Sequence, residues 1–589
     1  MEYSIKITKL RIKRQKLTIA FEGNTRVDSE VAHPKVILHF FDQVTGDDRR
    51  MPLVIKKSEV IDNVCYFSGS YTYHLGYIFY KKWGSKNEIH MYLNVLFEDY
   101  YEEKIDIDLT PEVYEIVNPL FEVDVCGNYL RIQRNDIKVP RRLSEANPII
   151  KLYTWLMFVI ALCLSPLFLL DGILAELRLL PYKSTYALEG PTVIHRLFRH
   201  VNSCLKSFSR HRISFIGMKT VLLRVLYFLA KIRRIDTNTI GFMSVRRDEL
   251  SGNMEYVYNQ LKDRDGVKIK MFLCCKEFKD MNLMDLIHIA NMCAVCKVIA
   301  IDEYTFFIYR INLRPQTKVV QLWHACGAFK TFGYTRLGKS GGTTQTSPTH
   351  RNYDYATVSS ESVRIWYAEG FGIPTDHVVP CGIARTDVFF DEEYKKKTIE
   401  RLYNEYPVLK GNKVILFAPT FRGKTRIKAY YPFEQFDVGK FMESVPDDYV
   451  LIIKHHPFVI EKHPVPDKYK DRVLDLSAES ELNDLLFITD IIITDYSSLV
   501  FEASLLDIPM LFYTFDLQEY IKDRDFYFNF ETFIPGKFFY NQDELQKAIK
   551  DKDFAQEKIP AFRNKFFDDL DGKASVRIAD LLCKALKEK

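Results

Sequence analysis

No cysteine framework, no dominant charge and no leader peptide can be read in this chain of 589 residues. Its 11 cysteines are odd in number and scattered, which excludes a disulfide-stapled secreted domain. Lys and Arg total 82 against 77 Asp and Glu, and a net charge of +5 over this length does not mark a nucleic-acid binder, so no nucleic-acid partner is expected. The opening MEYSIKITKLRIKRQKL has charge but no apolar core; it is not a secretory signal, and the expected start of the chain is cytoplasmic. No internal repeat and no GxxxxGKS/T phosphate loop occurs, so the chain is not a P-loop NTPase. At 47% hydrophobic and 27% charged residues it is neither disordered nor low-complexity. About 150 residues per domain then predicts two to four domains.

What is present changes character along the chain. Residues 1 to 145 alternate apolar and polar positions in short runs such as YSIKITKLRI, KVILHFFD and YLRIQRND, separated by turn residues. That period of two predicts antiparallel strands in a small sandwich. Residues 152–170, LYTWLMFVIALCLSPLFLL, form an apolar run at the length of a membrane span, with Pro166 inside it. From Gly172 to Ile235 a dozen Lys and Arg face two acidic residues, with Arg196, Arg199, Lys206, Arg210, Lys219 and Arg224 among apolar neighbours. The adjacency predicts a helical segment, 146–235, lying in plane or as a re-entrant hairpin on an anionic membrane surface. From 236 onward, near-continuous apolar strands alternate with helical segments in two series, 236–395 and 396–589. These predict two doubly wound parallel sheets with a ligand crevice at the carboxyl ends of their strands.

Chemistry-bearing residues cluster where those strands end. IIITDYSSLVFE closes a buried strand at Asp495 and opens a helix at Ser497 and Ser498, an arrangement suited to an anion. LIIKHHPF places Lys454, His455 and His456 after another strand, a cation and two imidazoles suited to phosphate. VVQLWHACGAFKTFGYTRLGKSGG puts His324 after a strand, followed by Gly327, Lys330 and Arg336 in a glycine-rich loop. Arg385, Asp387 and Arg422 follow strands of their own, and Asp302-Glu303 ends another. Cys293 and Cys296 have the spacing of half a zinc site, but they lie in an apolar run and Cys274-Cys275 supply no second half. Asp106-Ile107-Asp108 has the form of a metal-binding DxD, but a half-exposed strand explains it. Neither a metal nor a cofactor is expected.

These motifs together resemble the CDP-glycerol/CDP-ribitol phosphotransferases of wall teichoic acid synthesis. The resemblance rests on SGNMEYVYNQL (251–261), QLWHACGAFKTFGYTRLGKSGG (321–342), VVPCGIARTDVFFDE (378–392), KVILFAPTFRG (413–423), KHHPF (454–458), NDLLFITDIIITDYSSLVFE (483–502) and FDLQEYIKDRDFYFNFETFIPGK (515–537). The strand-rich N-terminal region is nearest to the long, ribitol-type polymerases; the apolar run at 152–170 is a departure. The resemblance implies an α/β GT-B fold: an acceptor-side Rossmann-like domain (236–395) and a donor-side one (396–589), behind a β-rich domain and the membrane-associating segment. It implies transfer of an alditol phosphate from a CDP-alditol donor to a lipid-linked teichoic acid acceptor at the cytoplasmic face of the cell membrane. His324 would be the general base, His456 the second catalytic histidine, and Arg422, Lys454, Ser497, Ser498, Asp495 and Arg385 would serve the donor pyrophosphate. Gly327, Lys330 and Arg336 would shape the acceptor side. A GT-B glycosyltransferase using a nucleotide sugar is the alternative, and a non-enzymatic membrane scaffold a third.

Overall fold

A computed structural model describes residues 3–13, 16–27, 34–75, 78, 88–97, 100–105, 107, 114–116, 121–134, 215–323, 325–339, 342–345, 347, 349–423, 429–478 and 481–588. His324 and the run 152–170 lie outside the described residues.

The alternating N-terminal region folds into two packed sheets, one of five strands and one of six. Leu10, Ile12, Leu17, Ile19 and Phe21 from the first sheet meet Val36, Leu38, Phe40, Met91 and Val95 from the second in one core. Alternate side chains therefore face inward, as a period of two requires.

Two parallel six-stranded sheets follow. Numbered in chain order within the first, from Asp236–Ser244 to Val378–Pro380, the strands lie in the spatial order 2-1-3-4-5-6. Those of the second, from Lys413–Phe417 to Lys537–Phe539, lie in the order 3-2-1-4-5-6 of a Rossmann sheet. Its central strands, KVILF, YVLII and IIIT, are buried nearly throughout, because helices cover both faces. The final helix, Ala574–Lys587, leaves the second domain and packs on the first, placing Ile578, Leu582 and Ala585 beside Ile240 and Val257. Asp387 caps it from a distance, accepting the N–H groups of Ala574 and Ser575 at 2.9 and 2.8 Å.

The helix Phe215–Ala230, grouped by sequence with the basic membrane segment, packs instead on Leu283–Val295 of the first Rossmann-like domain. Leu222, Leu223 and Tyr227 enter that domain's core. Lys219 is buried and donates to the carbonyls of Lys279 and Met281, and Arg224 Nε donates to the Arg310 carbonyl at 2.6 Å. Sequence reasoning counted both as membrane-facing cations; here they close off carbonyls at the ends of turns. Cys293 and Cys296 are likewise buried in this domain.

The sandwich is joined to both Rossmann-like domains. Asp48 accepts from the backbone N–H and hydroxyl of Thr375, each at 2.9 Å. The Arg49 guanidinium stacks over the Tyr334 ring with its centroid 5.0 Å away. Lys35 donates to the Phe526 and Tyr527 carbonyls of the second domain. Beside Lys35 lies Glu369, a buried residue whose Oε1 has no hydrogen-bond partner among the described residues. Burial pushes its carboxyl up to about 7, against the pull of Arg50 and Lys35.

The folded pKa of Glu369 lies above its unfolded value, so the folded state binds more protons between about pH 4.5 and 7, and stability falls as pH rises through that window. Glu369→Gln should remove this loss. Thermal melts should show its advantage over the parent growing from about pH 4.5 to pH 7, to at most about 3 kcal/mol, and staying flat above. A difference independent of pH would contradict the assignment.

Candidate active site

The strand order of the second sheet reverses between the parallel strands Lys413–Phe417 and Ile491–Thr494, and a doubly wound sheet binds its ligand outside the carboxyl ends of the strands at such a point. The segment after the first of these strands carries Thr420 and Arg422, and the other strand leads to Asp495, Ser497 and Ser498. Next to them, Tyr449–Ile453 leads to Lys454 and His456. Packing of the Phe421 and His456 rings, with centroids 4.8 Å apart, brings the two segments together. Strand order thus assembles residues that are far apart in sequence.

Asp495 is buried and fully used. Its Oδ1 accepts the Thr420 N–H and hydroxyl at 2.8 and 2.9 Å and the Tyr496 N–H at 2.5 Å, while Oδ2 accepts Arg422 Nη1 at 2.9 Å. Arg422 reaches in the other direction to Asp516, with Nε to Oδ2 at 2.6 Å and Nη2 to Oδ1 at 2.9 Å. Its other Nη1 hydrogen goes to the Thr420 carbonyl at 2.7 Å, which leaves one Nη2 hydrogen. The rings of Tyr496, Phe515 and Tyr520 surround the guanidinium at 5.2 to 5.4 Å. Burial works against this charge, but Asp495 and Asp516 more than offset it and raise the Arg422 pKa. Arg422 and Asp516 border a cavity of about 840 Å³, into which Arg336 of the first domain also reaches.

The two histidines after Lys454 part company. His455 is buried, with Nε2 at 3.2 Å from Nδ1 of His463, whose Nε2 lies 2.8 Å from the Phe436 carbonyl. That carbonyl can only accept, so His463 donates to it and in turn accepts from His455. Burial and the neighbouring His463 push His455 down to about 4, which makes it a neutral structural residue. His456 is half-buried and accepts the Phe458 N–H on Nδ1 at 3.2 Å, so the proton of its neutral form sits on Nε2. Lys454 is largely buried, with Nζ 3.3 Å from the Ser477 carbonyl. Ser497 Oγ accepts the Leu499 N–H at 3.2 Å, and both serines are half-buried.

Across the crevice, Trp323, immediately before His324, is left-handed at φ +52°, a strained state for a non-glycine residue. Asn253 supports it, donating to the Trp323 carbonyl at 2.6 Å and accepting the Arg385 N–H at 2.8 Å. Arg385 pairs with buried Glu502 of the second domain. Lys330 forms an antiparallel bridge with Phe526, and its Nζ lies 3.4 Å from the Tyr520 hydroxyl. Asp302 is buried and paired with Arg247 at 3.3 Å; burial, with Glu303 close by, pushes its carboxyl up to about 6. Sequence reasoning gave no role to Asn253, Glu502 or Asp516. All three lie inside the motif segments that carry the resemblance, and Asp516 also stands just past the strand Met510–Tyr513.

Residues 225–584 match the family model described as CDP-Glycerol:Poly(glycerophosphate) glycerophosphotransferase. A teichoic acid poly(ribitol-phosphate) polymerase of Bacillus spizizenii is 44% identical over 364 residues, covering 62% of this chain and 59% of that protein. The ribitol-phosphate polymerases TarL and TarK of Staphylococcus aureus are 41% and 39% identical, and the matches cover 61% and 72% of their lengths. This chain therefore spans about three-fifths of the first two relatives. The solved wall teichoic acid polymerase TagF superposes with a TM-score of 0.52 at 21% identity, covering 67% of this chain and 98% of that structure. The likeness establishes a shared fold of two facing Rossmann-like domains, the GT-B arrangement.

Gly327 sits where the two domains approach tightly. It sits at φ +58°, and a Cβ there would come within 2.1 Å of the Phe501 ring. Gly327→Ala should lower stability by about 1–3 kcal/mol in denaturant melts, and adding Phe501→Leu should recover part of the loss. A parent-like Gly327→Ala would mean that the contact is not tight.

Proposed function

The chain belongs to the CDP-glycerol:poly(glycerophosphate) glycerophosphotransferase family, and on that premise we propose that it transfers ribitol phosphate from CDP-ribitol to a hydroxyl of a lipid-linked teichoic acid acceptor, releasing CMP. What supports this reading is that the neighbouring strands at the switch point of the second sheet lead into the segments carrying Lys454 and His456, Arg422, and Ser497 and Ser498. The identity of 39% to 44% with ribitol-phosphate polymerases, against 32% with a glycerol-phosphate primase of Bacillus subtilis, favours ribitol.

In the proposed reaction the acceptor hydroxyl attacks the β-phosphorus, a new O–P bond forms, and the bridging P–O bond breaks toward CMP. His324 takes the hydroxyl proton. Charge accumulates on the phosphoryl oxygens and on CMP, so stabilisation is chiefly electrostatic. His456 Nε2–H, the Lys454 ammonium, the N–H groups around Ser497 and Ser498 and the remaining Nη2–H of Arg422 serve that charge. Asp495 contributes indirectly by fixing Thr420 and Arg422, and Arg385 by tying the acceptor side to Glu502.

CMP release should be fastest from CDP-ribitol when CDP-ribitol, CDP-glycerol and a nucleotide sugar are compared on an acceptor-primed membrane fraction. Faster release from CDP-glycerol would reassign the alditol, and consumption of the nucleotide sugar alone would make the chain a glycosyltransferase. His324→Ala should cost about 10²–10⁴-fold in turnover and leave donor affinity unchanged by calorimetry. His456→Ala should cost about 10²-fold and weaken donor binding. The opposite pattern of donor binding would exchange the roles.

A peripheral membrane contact belongs to the same proposal. Among the described residues no helix is long and apolar enough to cross a membrane. Phe228, Leu229 and Ile232 are nonetheless 69%, 54% and 86% exposed, beside Lys231, Arg233 and Arg234. An apolar tip ringed by cations suits an anionic bilayer surface. Replacing the three apolar residues with Ser should weaken binding to anionic liposomes and leave turnover of a lipid-free acceptor unchanged; unchanged liposome binding would remove these residues from the contact.

A further inference from the structure

The outer face of the five-stranded sandwich sheet has no part in the transfer chemistry, yet its register is regular. Lys6, Glu22, Ser68 and Lys57 form one cross-strand row; Lys9, Ala20 and Ser70 the next; then Arg11, Thr18 and Thr72; then Lys13, Lys16 and His74. Rows on one face of a strand repeat about every 6.8 Å. Between Glu22 at one end and Lys16 and His74 at the other, the two central strands present a floor of Ala, Ser and Thr, and the flanking strands raise lysines on either side. Lys56 leans over that floor, its Nζ 2.6 Å from Ser70 Oγ. Eight Lys and Arg, counting Arg26 at the strand end, stand on this face against Glu22, Glu59 and Glu115, and Glu115 is neutralised by Arg11 at 2.9 Å. Among the described residues, Lys6, Lys9, Lys13 and Lys57 have no carboxylate at ion-pair distance. The floor deepens into a groove of about 880 Å³ in which Lys6, Lys56 and Lys57 stand against Glu22 and Glu59, with Ser68 and the half-exposed Tyr66 between them. Lysines on an edge strand guard against sheet-to-sheet pairing, but that need does not call for a hydroxyl-bearing floor between two cationic rows.

The sheet also touches the acceptor-side loop. The His74 N–H donates to Gln345 Oε1 at 2.6 Å, Gln345 Nε2 donates back to the His74 carbonyl at 3.3 Å, and Val54 packs against Gly338. We infer that this face holds the part of the acceptor already built: a linear polyanion of alditol units joined by phosphodiesters. Lysines meet its phosphates, and Ser, Thr and Tyr hydroxyls meet its alditol hydroxyls. The inference rests on the transfer reading proposed above. Each contact is exposed and weak, but contacts along one chain add through effective concentration, and salt screens them.

The test uses the full chain and fluorescently labelled, lipid-free poly(ribitol phosphate), with anisotropy read in the absence of any CDP-alditol. Lys6→Glu/Lys9→Glu/Lys57→Glu should bind the polymer about tenfold more weakly at low salt, with the gap closing at high salt. Its initial CMP release on a short acceptor should stay within about twofold of the parent, while its products become shorter. Lys6→Gln/Lys57→Gln, a milder change, should show the same direction if the triple variant melts early. Parent-like polymer binding by a folded variant overturns the inference. So does loss of binding to anionic vesicles with polymer binding intact, which would assign the face to a membrane. Parent binding of heparin as tight as that of the polymer would leave only a generic basic surface and also overturns it. Failure of the transfer reading shows separately, as absence of CMP release by the parent from every CDP-alditol.

Discussion

A single buried guanidinium, Arg422 between Asp495 and Asp516, organises the crevice. The three residues come from segments following three different strands, so their ion pairs tie the carboxyl ends of the second sheet into one rigid rim. A buried charge is tolerable only when its hydrogen bonds are nearly all made, and here four of the five guanidinium hydrogens are committed. The electrostatic outcome bears on the proposed chemistry. Two carboxylates and one guanidinium sum to one negative charge at the floor of the crevice. In the proposed reaction the phosphate charge would therefore fall to Lys454, His456 and the N–H groups around Ser497 and Ser498.

That rim faces a first domain held close by contacts of several kinds. Gly327 lets backbone approach the Phe501 ring, Lys330 pairs with Phe526, and Arg385 reaches Glu502. The sandwich adds Lys35, which donates to Phe526 and Tyr527 next to the same bridge. Three bodies thus meet around residues 525–527, where Lys339 also pairs with Asp525. Here the sandwich grips the loops that border the cleft on both sides.

Much of this was legible in the sequence, for physical reasons that also mark the limits. Parallel strands buried on both faces give long apolar runs, so the two Rossmann-like series and the residues at their ends could be read directly. The alternation of the sandwich was equally open. What failed needed tertiary knowledge. His455 and His456 are adjacent and chemically identical, and only burial against His463 marks one of them as a structural imidazole. Lys219 and Arg224 looked like membrane-facing cations because a sequence cannot show that a carbonyl lies within reach of an ammonium. The Arg422–Asp516 pair spans 94 residues, and the return of Ala574–Lys587 to the first domain depends on packing alone.

If the proposed transfer is repeated on one acceptor, it places demands on the arrangement of these surfaces. After each proposed addition the new terminal hydroxyl must return to the crevice while the chain already made moves away. A tight site for that chain would stall it, because each step would have to break the full binding energy. No site at all would let the terminus diffuse off between steps. A shelf of separate, solvent-exposed lysines at about 6.8 Å intervals lies between these extremes: every contact is weak and exchanges quickly, yet many together keep the terminus near. Such a shelf has to adjoin the acceptor-side loop and not the donor pocket, since CDP-alditol must enter and CMP must leave on every cycle. The His74–Gln345 and Val54–Gly338 contacts put the sandwich on that side. The exposed Phe228, Leu229 and Ile232 belong to a helix packed on the first Rossmann-like domain, so in the proposed reading the lipid end and the growing end of one acceptor are both held away from the nucleotide.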